Sequence, residues 1–360
     1  MNRAHNFSAG PAILPLEVLE ATSQAVLNYN NLGMSIMEMS HRSKEYDAVF
    51  VETQKNALKV AGLPEDQYTV LFLGGGASLQ FIMIPMNYLV NKADYINTGV
   101  WSKKAIKEAK SVGTTNVVAT SEDANFNYIP KDIKFSGDAD YVHITTNNTI
   151  YGTEWKTIPD VGNVPLFADM SSDIFARDID FSKFSLIYAG AQKNIGPAGA
   201  TMVIIKNDLL GKIKEGTPTM LNYKTHADAG SMFNTPPTLP VFVIGQTFKW
   251  IMNQGGLKAV EANNIEKANL LYDFIDAHKD FYKGTVPNKE DRSLMNVTWN
   301  LNTPELEKEF IAEALKRYNM TNLKGHRSVG GCRASIYNAC PKSSVEALVK
   351  FMDEFMKEKK

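Results

Sequence analysis

The sequence predicts an α/β fold, in which a large domain is built on a mostly parallel sheet and a smaller α/β domain follows at the C-terminal end. Short β-rich runs alternate with helical segments through the first two thirds of the chain, a pattern typical of βαβ units. Several of these runs are apolar throughout, as expected for strands that are buried on both faces. The chain has 360 residues, of which 44% are hydrophobic, which suffices for two domains.

Hydrophobic spacing and glycine signals locate the elements of the large domain. Residues 46–61 have apolar side chains near helical spacing, and residues 68–73 form a β-rich run that stops at three glycines. The predicted order is helix 19–29, helix 46–61, strand 68–73, helix 78–87, extended segment 95–97, helix 102–110, and strands at 141–145, 164–168, 186–188 and 202–205.

The pattern changes after about residue 255, where longer helical segments predominate. The predicted order there is helix 259–278, strand 296–300, helix 304–318, a glycine-rich turn at 325–331 and an amphipathic helix at 343–359. We therefore divide the chain into a large domain at 16–255 and a small domain at 256–360, and assign residues 1–15 to an N-terminal segment associated with the small domain and the active site.

Lys193 lies in the most informative stretch of the chain, FSLIYAGAQKNIGPAGAT. The lysine follows an apolar run that ends in small residues and precedes a glycine-lined junction before the second strand. Such a setting lets the backbone approach a flat ring closely, which a lysine bound covalently to an aldehyde cofactor requires. The alternative is an ordinary exposed loop lysine.

Two further strand ends carry polar or glycine signals, and sites in parallel sheets lie beyond such ends. The segment Gly74-Gly75-Gly76-Ala77-Ser78 lets backbone N–H groups at a helix start face a phosphate, or it is a plain strand-to-helix turn. Asp169 ends an apolar run, and a carboxylate there needs a partner such as a protonated pyridine nitrogen. The alternative is an aspartate that caps the turn at Ser171 or Ser172.

The arginines are few and grouped. The chain has 7 Arg against 31 Lys, and three of the seven lie in the segments His41-Arg42 and His326-Arg327 to Arg333. The guanidinium fork matches carboxylate and phosphate groups, although salt bridges are the alternative. Trp101 lies at the start of a predicted helix, where it either stacks on a planar ring or is an ordinary core residue. Asn234 and Thr235 either donate hydrogen bonds to a phosphate or form a turn.

Composition excludes several classes of function. Lys+Arg is 38 and Asp+Glu is 39, so the net charge of −1 gives no electrostatic argument for binding nucleic acid or an anionic membrane. The six histidines show no metal-ligand spacing, so we expect no metal. With two cysteines, no signal-like apolar N-terminus and no membrane-length apolar run, we expect a cytoplasmic protein.

Taken together, these motifs resemble the phosphoserine aminotransferase family, whose members are class V, fold-type-I enzymes that use pyridoxal phosphate. Five stretches carry the resemblance in order along nearly the whole chain: NFSAGPA from Asn6, GMSIMEMSHRSKEY from Gly33, AGAQKNIGPAG from Ala189, GSMFNTPPT from Gly230 and GHRSVGGCRASIYNA from Gly325. The resemblance implies a seven-stranded, mostly parallel sheet and a homodimer with active sites shared between subunits.

The resemblance also implies roles for individual residues. Lys193 would bind the cofactor aldehyde covalently, and Asp169 would bind the pyridine nitrogen. Trp101 would stack on the ring and Thr149 would bind its phenolic oxygen. The cofactor phosphate would be held by Ala77, Ser78 and Gln192, and by Asn234 and Thr235 of the other subunit. Arg333 would bind the substrate α-carboxylate, and the distal phosphate or γ-carboxylate would go to His41, Arg42, His326 and Arg327.

The activity implied is amino transfer from L-glutamate to 3-phosphohydroxypyruvate, a phosphorylated 2-oxo acid, which gives O-phospho-L-serine and 2-oxoglutarate. A four-carbon substrate used in making pyridoxal phosphate, 3-hydroxy-2-oxo-4-phosphooxybutanoate, is a second candidate. Two alternatives stay open: a class V aminotransferase for a small unphosphorylated acid, and a pyridoxal-phosphate-binding protein without turnover. A cysteine desulfurase is disfavoured, because both cysteines lie in the C-terminal domain.

Overall fold

A computed structural model describes residues 3–360 of the chain. The strands are β1 His5–Asn6, β2 Tyr68–Leu73, β3 Lys92–Asn97, β4 Thr114–Thr120, β5 Val142–Thr145, β6 Leu166–Asp169, β7 Leu186–Gly190, β8 Thr201–Lys206, β9 Lys283–Gly284, β10 Asn296–Asn300, β11 Met320–Thr321 and β12 Cys332–Ser335. The helices are α1 Leu16–Asn28, α2 Lys44–Ala61, α3 Gly76–Tyr88, α4 Val100–Val112, α5 Tyr223–Asp228, α6 Thr238–Asn253, α7 Gly256–Ala277, α8 Pro304–Tyr318 and α9 Lys342–Lys359.

A seven-stranded sheet forms the centre of the large domain, in the order β2-β8-β7-β6-β5-β3-β4. Strands β7, β6, β5, β3 and β4 pair in parallel, whereas β8 is antiparallel to both of its neighbours. The mostly parallel α/β sheet predicted from the sequence is therefore confirmed. Because β2 runs with the parallel strands, the carboxyl ends of six strands lie at one edge.

Helices cover both faces of this sheet, and two of them begin at its carboxyl edge. Helices α3 and α4 pack on one face, in a core that includes Phe81 and Tyr188. Helices α1, α2 and α6 pack on the other face, in a core that includes Phe50 and Ile187. Since α3 follows β2 and α4 follows β3 directly, the N-terminal ends of both helices lie beside the ends of the strands.

The C-terminal third has its own core. A three-stranded antiparallel sheet, β12-β10-β9, packs with α7, α8 and α9. The N-terminal segment joins this part of the molecule, because β1 pairs in parallel with β11 and Phe7 and Ile13 pack in the same core. These contacts support the proposed division at residues 15 and 255, which stays a prediction; residues 1 and 2 of the N-terminal segment lie outside the described residues.

Three elements of the large domain do not appear among the predictions, namely β4, the short helix α5 and α6. Strand β4 is a half-exposed sheet edge with four polar residues, which leave an apolar run of only three residues at 117–119. Helix α6 is buried on more than one side, which removes the amphipathic spacing that identifies a helix. Within residues 3–360, no helix has the length and apolar character needed to cross a membrane.

Candidate active site

A cleft of about 310 Å³ opens at the carboxyl edge of the large sheet, on the side of α3 and α4. Nine of the predicted site residues line it, and five residues that were not predicted do so as well. The predicted residues are Ala77, Ser78, Trp101, Thr149, Asp169, Gln192, Lys193, His326 and Arg333. The others are Ala9, Gly10, Gly76, Ile150 and Ser171. Sequence positions from 9 to 333 thus meet in one place.

Lys193 lies in the turn between β7 and β8, and its amine points into the cleft. Nζ donates a hydrogen bond to Thr149 Oγ1 at 2.8 Å and lies 5.4 Å from the centre of the Trp101 ring. Burial lowers the pKa of Lys193 to about 8, Asp169 partly opposes this effect, and Arg333 adds to it. The amine is therefore a nucleophile or base near neutral pH, unlike the exposed loop lysine that was the alternative.

Asp169 is the last residue of β6 and is held by the next turn of the chain. Ser171 donates two hydrogen bonds to Asp169 Oδ1, from its backbone N at 2.9 Å and from its Oγ at 2.6 Å. Among residues 3–360, Oδ2 has no such donor, so it is left for a group in the cleft. Burial raises the pKa of Asp169 above its ordinary value, while Lys193 and Ser171 oppose the rise.

The predicted cap and the predicted functional role of Asp169 thus coexist, because each uses a different oxygen atom. Ser171 was considered only as a capped residue, yet it fixes the carboxylate from two donors and also accepts from Gly190 N at 3.1 Å. A serine two residues after an aspartate that ends a strand is the sequence signal that identifies such a turn.

The first turns of α3 and α4 bring backbone donors and an aromatic ring to the cleft. Gly75 precedes α3 with φ +84°, and Gly76, the first residue of the helix, has φ +66°; both values favour glycine. Gly76, Ala77 and Ser78 line the cleft at this positive helix end. In α4, Ser102 Oγ accepts from Thr98 N and Gly99 N at 3.0 and 2.9 Å, which fixes the turn that carries Trp101.

Arg333 and His326 approach the cleft from the small domain. Arg333 lies in β12, and its Nη1 donates to Thr149 O at 2.9 Å. His326 Nδ1 accepts from Ser328 N at 3.3 Å, which leaves Nε2 as the atom that carries the hydrogen of the neutral ring. Burial, and then the charges of Arg333 and Arg327, lower the pKa of His326.

The remaining predicted residues do not line this cleft in the single chain. Arg42, Arg327, Asn234 and Thr235 are exposed, and His41 is half-buried. Asn234 and Thr235 line a separate depression beside Gly74. None of His41, Arg42, Arg327, Asn234 and Thr235 therefore lines the cleft that holds Lys193 of the same chain, and their roles stay predictions.

The salt-bridge alternative for the grouped arginines does not describe this structure. Within residues 3–360, the arginines that pair with carboxylates are Arg177, Arg292 and Arg317. Arg42, Arg327 and Arg333 form no ion pair in that range, so their guanidinium groups are available to an anion. In the same range, no group of three His, Cys, Asp or Glu side chains is arranged to hold a metal ion.

Comparisons with known proteins agree with this geometry. Residues 4–348 match the family model described as "Aminotransferase class-V". The phosphoserine aminotransferase of Phocaeicola vulgatus is 55% identical over 357 residues, covering 99% of both chains, and that of Geobacillus kaustophilus is 53% identical over 359 residues, also covering 99% of both. The solved structure of phosphoserine aminotransferase from Bacillus circulans subsp. alkalophilus is 49% identical, with a TM-score of 0.97 and 99% of each chain covered.

A second solved structure, described as pyridoxal-phosphate-bound phosphoserine aminotransferase from Trichomonas vaginalis, is 39% identical with a TM-score of 0.91. It covers 98% of this chain and all of that chain. The family match, the near-complete coverage and the cleft geometry lead to one conclusion: the chain belongs to the class-V aminotransferase family, in its phosphoserine aminotransferase branch.

Proposed function

We propose that this chain transfers the amino group of L-glutamate to 3-phosphohydroxypyruvate, giving O-phospho-L-serine and 2-oxoglutarate. The observation that carries the proposal is the meeting of Lys193, Asp169 and Arg333 in one buried cleft. The 55% identity to a phosphoserine aminotransferase over 99% of both chains supports the same activity.

The cleft residues fit pyridoxal 5'-phosphate as the cofactor. The buried amine of Lys193 suits an aldehyde, Oδ2 of Asp169 suits a pyridine nitrogen, and the N-terminal end of α3 suits a phosphate. When bound, this cofactor takes up the amino group and withdraws electrons from the substrate α-carbon. Trp101, Gln192 and Thr149 would complete its site.

Lys193 is the group that moves the proton. Its amine, with a pKa lowered to about 8 by burial, is neutral often enough near pH 8 to remove the proton from the substrate α-carbon. Thr149 Oγ1 accepts a hydrogen bond from the same nitrogen and so holds the amine in the cleft. Asp169 stays available as a carboxylate because Ser171 donates to it twice.

Arg333 is suited to bind the α-carboxylate that both amino-acid substrates share. Its Nη1 is used by Thr149 O, and the rest of its fork faces a cleft with two buried cations and one carboxylate. A charge-assisted hydrogen bond from such a group contributes about 1.5–3 kcal/mol.

The distal anion of the substrate would be bound across a homodimer. Tyr46 Oη, in the first turn of α2, donates to Thr238 O at 2.9 Å, so the segments that carry Arg42 and Asn234-Thr235 lie side by side. The same two stretches of sequence also carry exposed apolar side chains, namely Met37 at 58% and Phe233 at 47% exposure. Such a patch is expected to be covered by a partner.

In this arrangement, one subunit supplies His41, Arg42, Asn234 and Thr235 to the cleft of the other. His326 and Arg327 would approach the same distal anion from the cleft's own subunit. The arrangement explains why two exposed segments of this chain carry polar residues without ion pairs of their own.

Colour and turnover test the proposed function together. The purified holoprotein should be yellow, lose that absorbance when L-glutamate alone is added, and convert phosphoserine with 2-oxoglutarate much faster than serine. Equal rates with serine would favour an aminotransferase for unphosphorylated acids. A yellow protein whose spectrum ignores glutamate would favour a protein that binds the cofactor without turnover.

A further inference from the structure

Three buried asparagines bind three consecutive backbone carbonyls in the turn after β6. The side-chain amide of Asn194 donates to Ile174 O at 2.6 Å. The amide of Asn338 donates to Phe175 O at 2.8 Å, and that of Asn264 donates to Ala176 O at 3.0 Å. All three side chains are at most 5% exposed, so each of these hydrogen bonds is shielded from water.

The asparagines also bind one another. Asn338 N donates to Asn194 Oδ1 at 3.0 Å, and Asn264 Nδ2 donates to Asn338 Oδ1 at 2.7 Å. The segment around Asn338 is fixed further by Lys267, whose buried Nζ donates to the carbonyl oxygens of Ile336, Tyr337 and Cys340 at 2.8–3.2 Å. We call Asn194, Asn264 and Asn338 the asparagine cluster.

The asparagine cluster joins the chain segments that carry the three main groups of the cleft. Asn194 directly follows Lys193, Ile174 comes five residues after Asp169, and Asn338 comes five residues after Arg333. None of the three asparagines lines the cleft itself. The cluster therefore connects the chain segments that carry the cleft residues without lining the cleft itself.

The turn that receives the three amides has a conformation that needs support. Phe175 is fully buried and has φ +59°, a left-handed value that is uncommon for a bulky residue. Such conformations persist where the surroundings determine them. Here the amide donors on the carbonyls of residues 174, 175 and 176 stabilise this conformation.

We propose that the asparagine cluster consists of positioning residues that fix Arg333 of the small domain at the correct distance from Lys193 of the large domain. This inference rests on the proposed function, because it assigns the α-carboxylate to Arg333. The α-carboxylate is bonded directly to the α-carbon, which is the atom that Lys193 deprotonates. The spacing of the two side chains therefore decides whether a bound amino acid reacts.

The proposal predicts a specific kinetic pattern. A shift of Arg333 should weaken its charge-assisted hydrogen bonds to the α-carboxylate, and partial loss of one such bond weakens binding by about tenfold. Asn338→Ala should raise the KM for glutamate and for phosphoserine by the same factor, since both share the α-carboxylate. A change confined to phosphoserine would place the defect at the distal anion and overturn the proposal.

Binding without turnover supplies an independent measurement. The probe is α-methyl-L-glutamate, which has the α-carboxylate but no α-proton for Lys193 to remove, and its binding is followed through the absorbance of the holoenzyme. Asn338→Ala should weaken this binding by about tenfold. Asn264→Ala should weaken it in the same direction. The double variant should lose little more than Asn338→Ala alone, because coupled residues are not additive.

Asn87→Ala is the matched control. Asn87 is equally buried and donates to Met83 O and Leu221 O, both at 2.7 Å, and accepts from Tyr223 N, but it has no bond to the segments of Lys193 or Arg333. It should lower the melting temperature and leave α-methyl-L-glutamate binding within about twofold of wild type.

Failures of the two proposals can be told apart. If wild-type protein neither binds α-methyl-L-glutamate nor responds to glutamate, the proposed function is wrong. If wild type does both and the two cluster variants bind the probe as wild type does despite a lower melting temperature, the asparagine cluster is structural only. Should Asn338→Ala not fold, Asn264→Ala decides the question by itself.

Discussion

The amine of Lys193 lies in a buried cleft beside Arg333, and both features disfavour its protonated form. An ordinary lysine has a pKa of about 10.4 and is almost entirely charged near neutral pH. Burial lowers the pKa of Lys193 to about 8, and the nearby carboxylate of Asp169 limits the decrease. The pH at which this side chain becomes reactive is therefore a property of three named groups.

Reconstitution of cofactor-free protein should report this pKa directly. Only the neutral amine attacks an aldehyde, so the rate with pyridoxal phosphate should rise about tenfold per pH unit at low pH and level off above about 8. The absorbance of the bound cofactor follows the reaction. A rate that keeps rising to about pH 10 would show an amine with the ordinary pKa of an exposed lysine.

Replacing Asp169 should move this midpoint in a defined direction. Asp169 favours the protonated form of Lys193, so Asp169→Asn should shift the midpoint of the reconstitution profile to lower pH. Turnover of the reconstituted variant should fall by about 100-fold or more, since the carboxylate no longer faces the ring nitrogen. Asp94→Asn is the control: Asp94 is equally buried in the same sheet and binds Ser136 outside the cleft. If both variants shift the midpoint equally, the effect is not specific to the site.

Local sequence signals sufficed for the elements that position the cleft. Strand β2 ends at the glycines, β6 ends at Asp169, and β7 ends shortly before Lys193, as the sequence indicates. These elements have apolar cores with distinct boundaries. Helix α6 has no polar face to mark its period, and β4 has neither alternation nor an apolar run longer than three residues, so periodicity identifies neither of them.

The direction of a strand in the sheet, unlike its position in the sequence, is not indicated by the residues of the strand itself. Strand β8 looks like its neighbours in sequence, with the apolar run from Met202 to Ile205, yet it is antiparallel to both β2 and β7. Its direction follows from the short connection after Lys193, because a parallel crossover needs a dozen or more residues. Ten residues separate Gly190 from Thr201, and they are used for the turn that carries the lysine.

The start of α4 leaves no room for added volume. A Cβ atom at Gly99 would lie 2.3 Å from Asn148 Oδ1, beside the segment that carries Thr149. Gly99→Ala should displace the first turn of α4, and Trp101 with it, at a cost of about 1–3 kcal/mol in unfolding free energy. The dissociation rate of the cofactor should rise, as measured by absorbance after dilution.

The other end of the same helix provides the control for this prediction. At Gly113 an added Cβ would meet only the side chain of Leu89, at 3.0 Å, which can move. Gly113→Ala should therefore leave cofactor release unchanged. Equal release rates for wild type and Gly99→Ala would show that the first turn of α4 does not hold the ring in place.

At the scale of the molecule, the site residues separate into two groups for a physical reason. Residues at strand ends, such as Asp169 and Lys193, meet because a parallel sheet brings its carboxyl ends together. Arg42 and Asn234 lie on exposed segments away from them. The sequence motifs predict that these residues take part in the site, and we propose that they do so in the cleft of a second copy of the chain.

Co-expression of two inactive variants tests this arrangement. Lys193→Ala and Arg42→Ala should each lose most activity, whereas mixed dimers contain one cleft with an intact Lys193 and the partner's intact Arg42. Random pairing of a two-fold dimer should restore about a quarter of the wild-type activity. Lys193→Ala with Arg333→Ala is the control pair: both residues line the same cleft of one chain, so no mixed dimer has a complete site. Recovery in the control pair, or none in the first, would contradict a site shared between subunits.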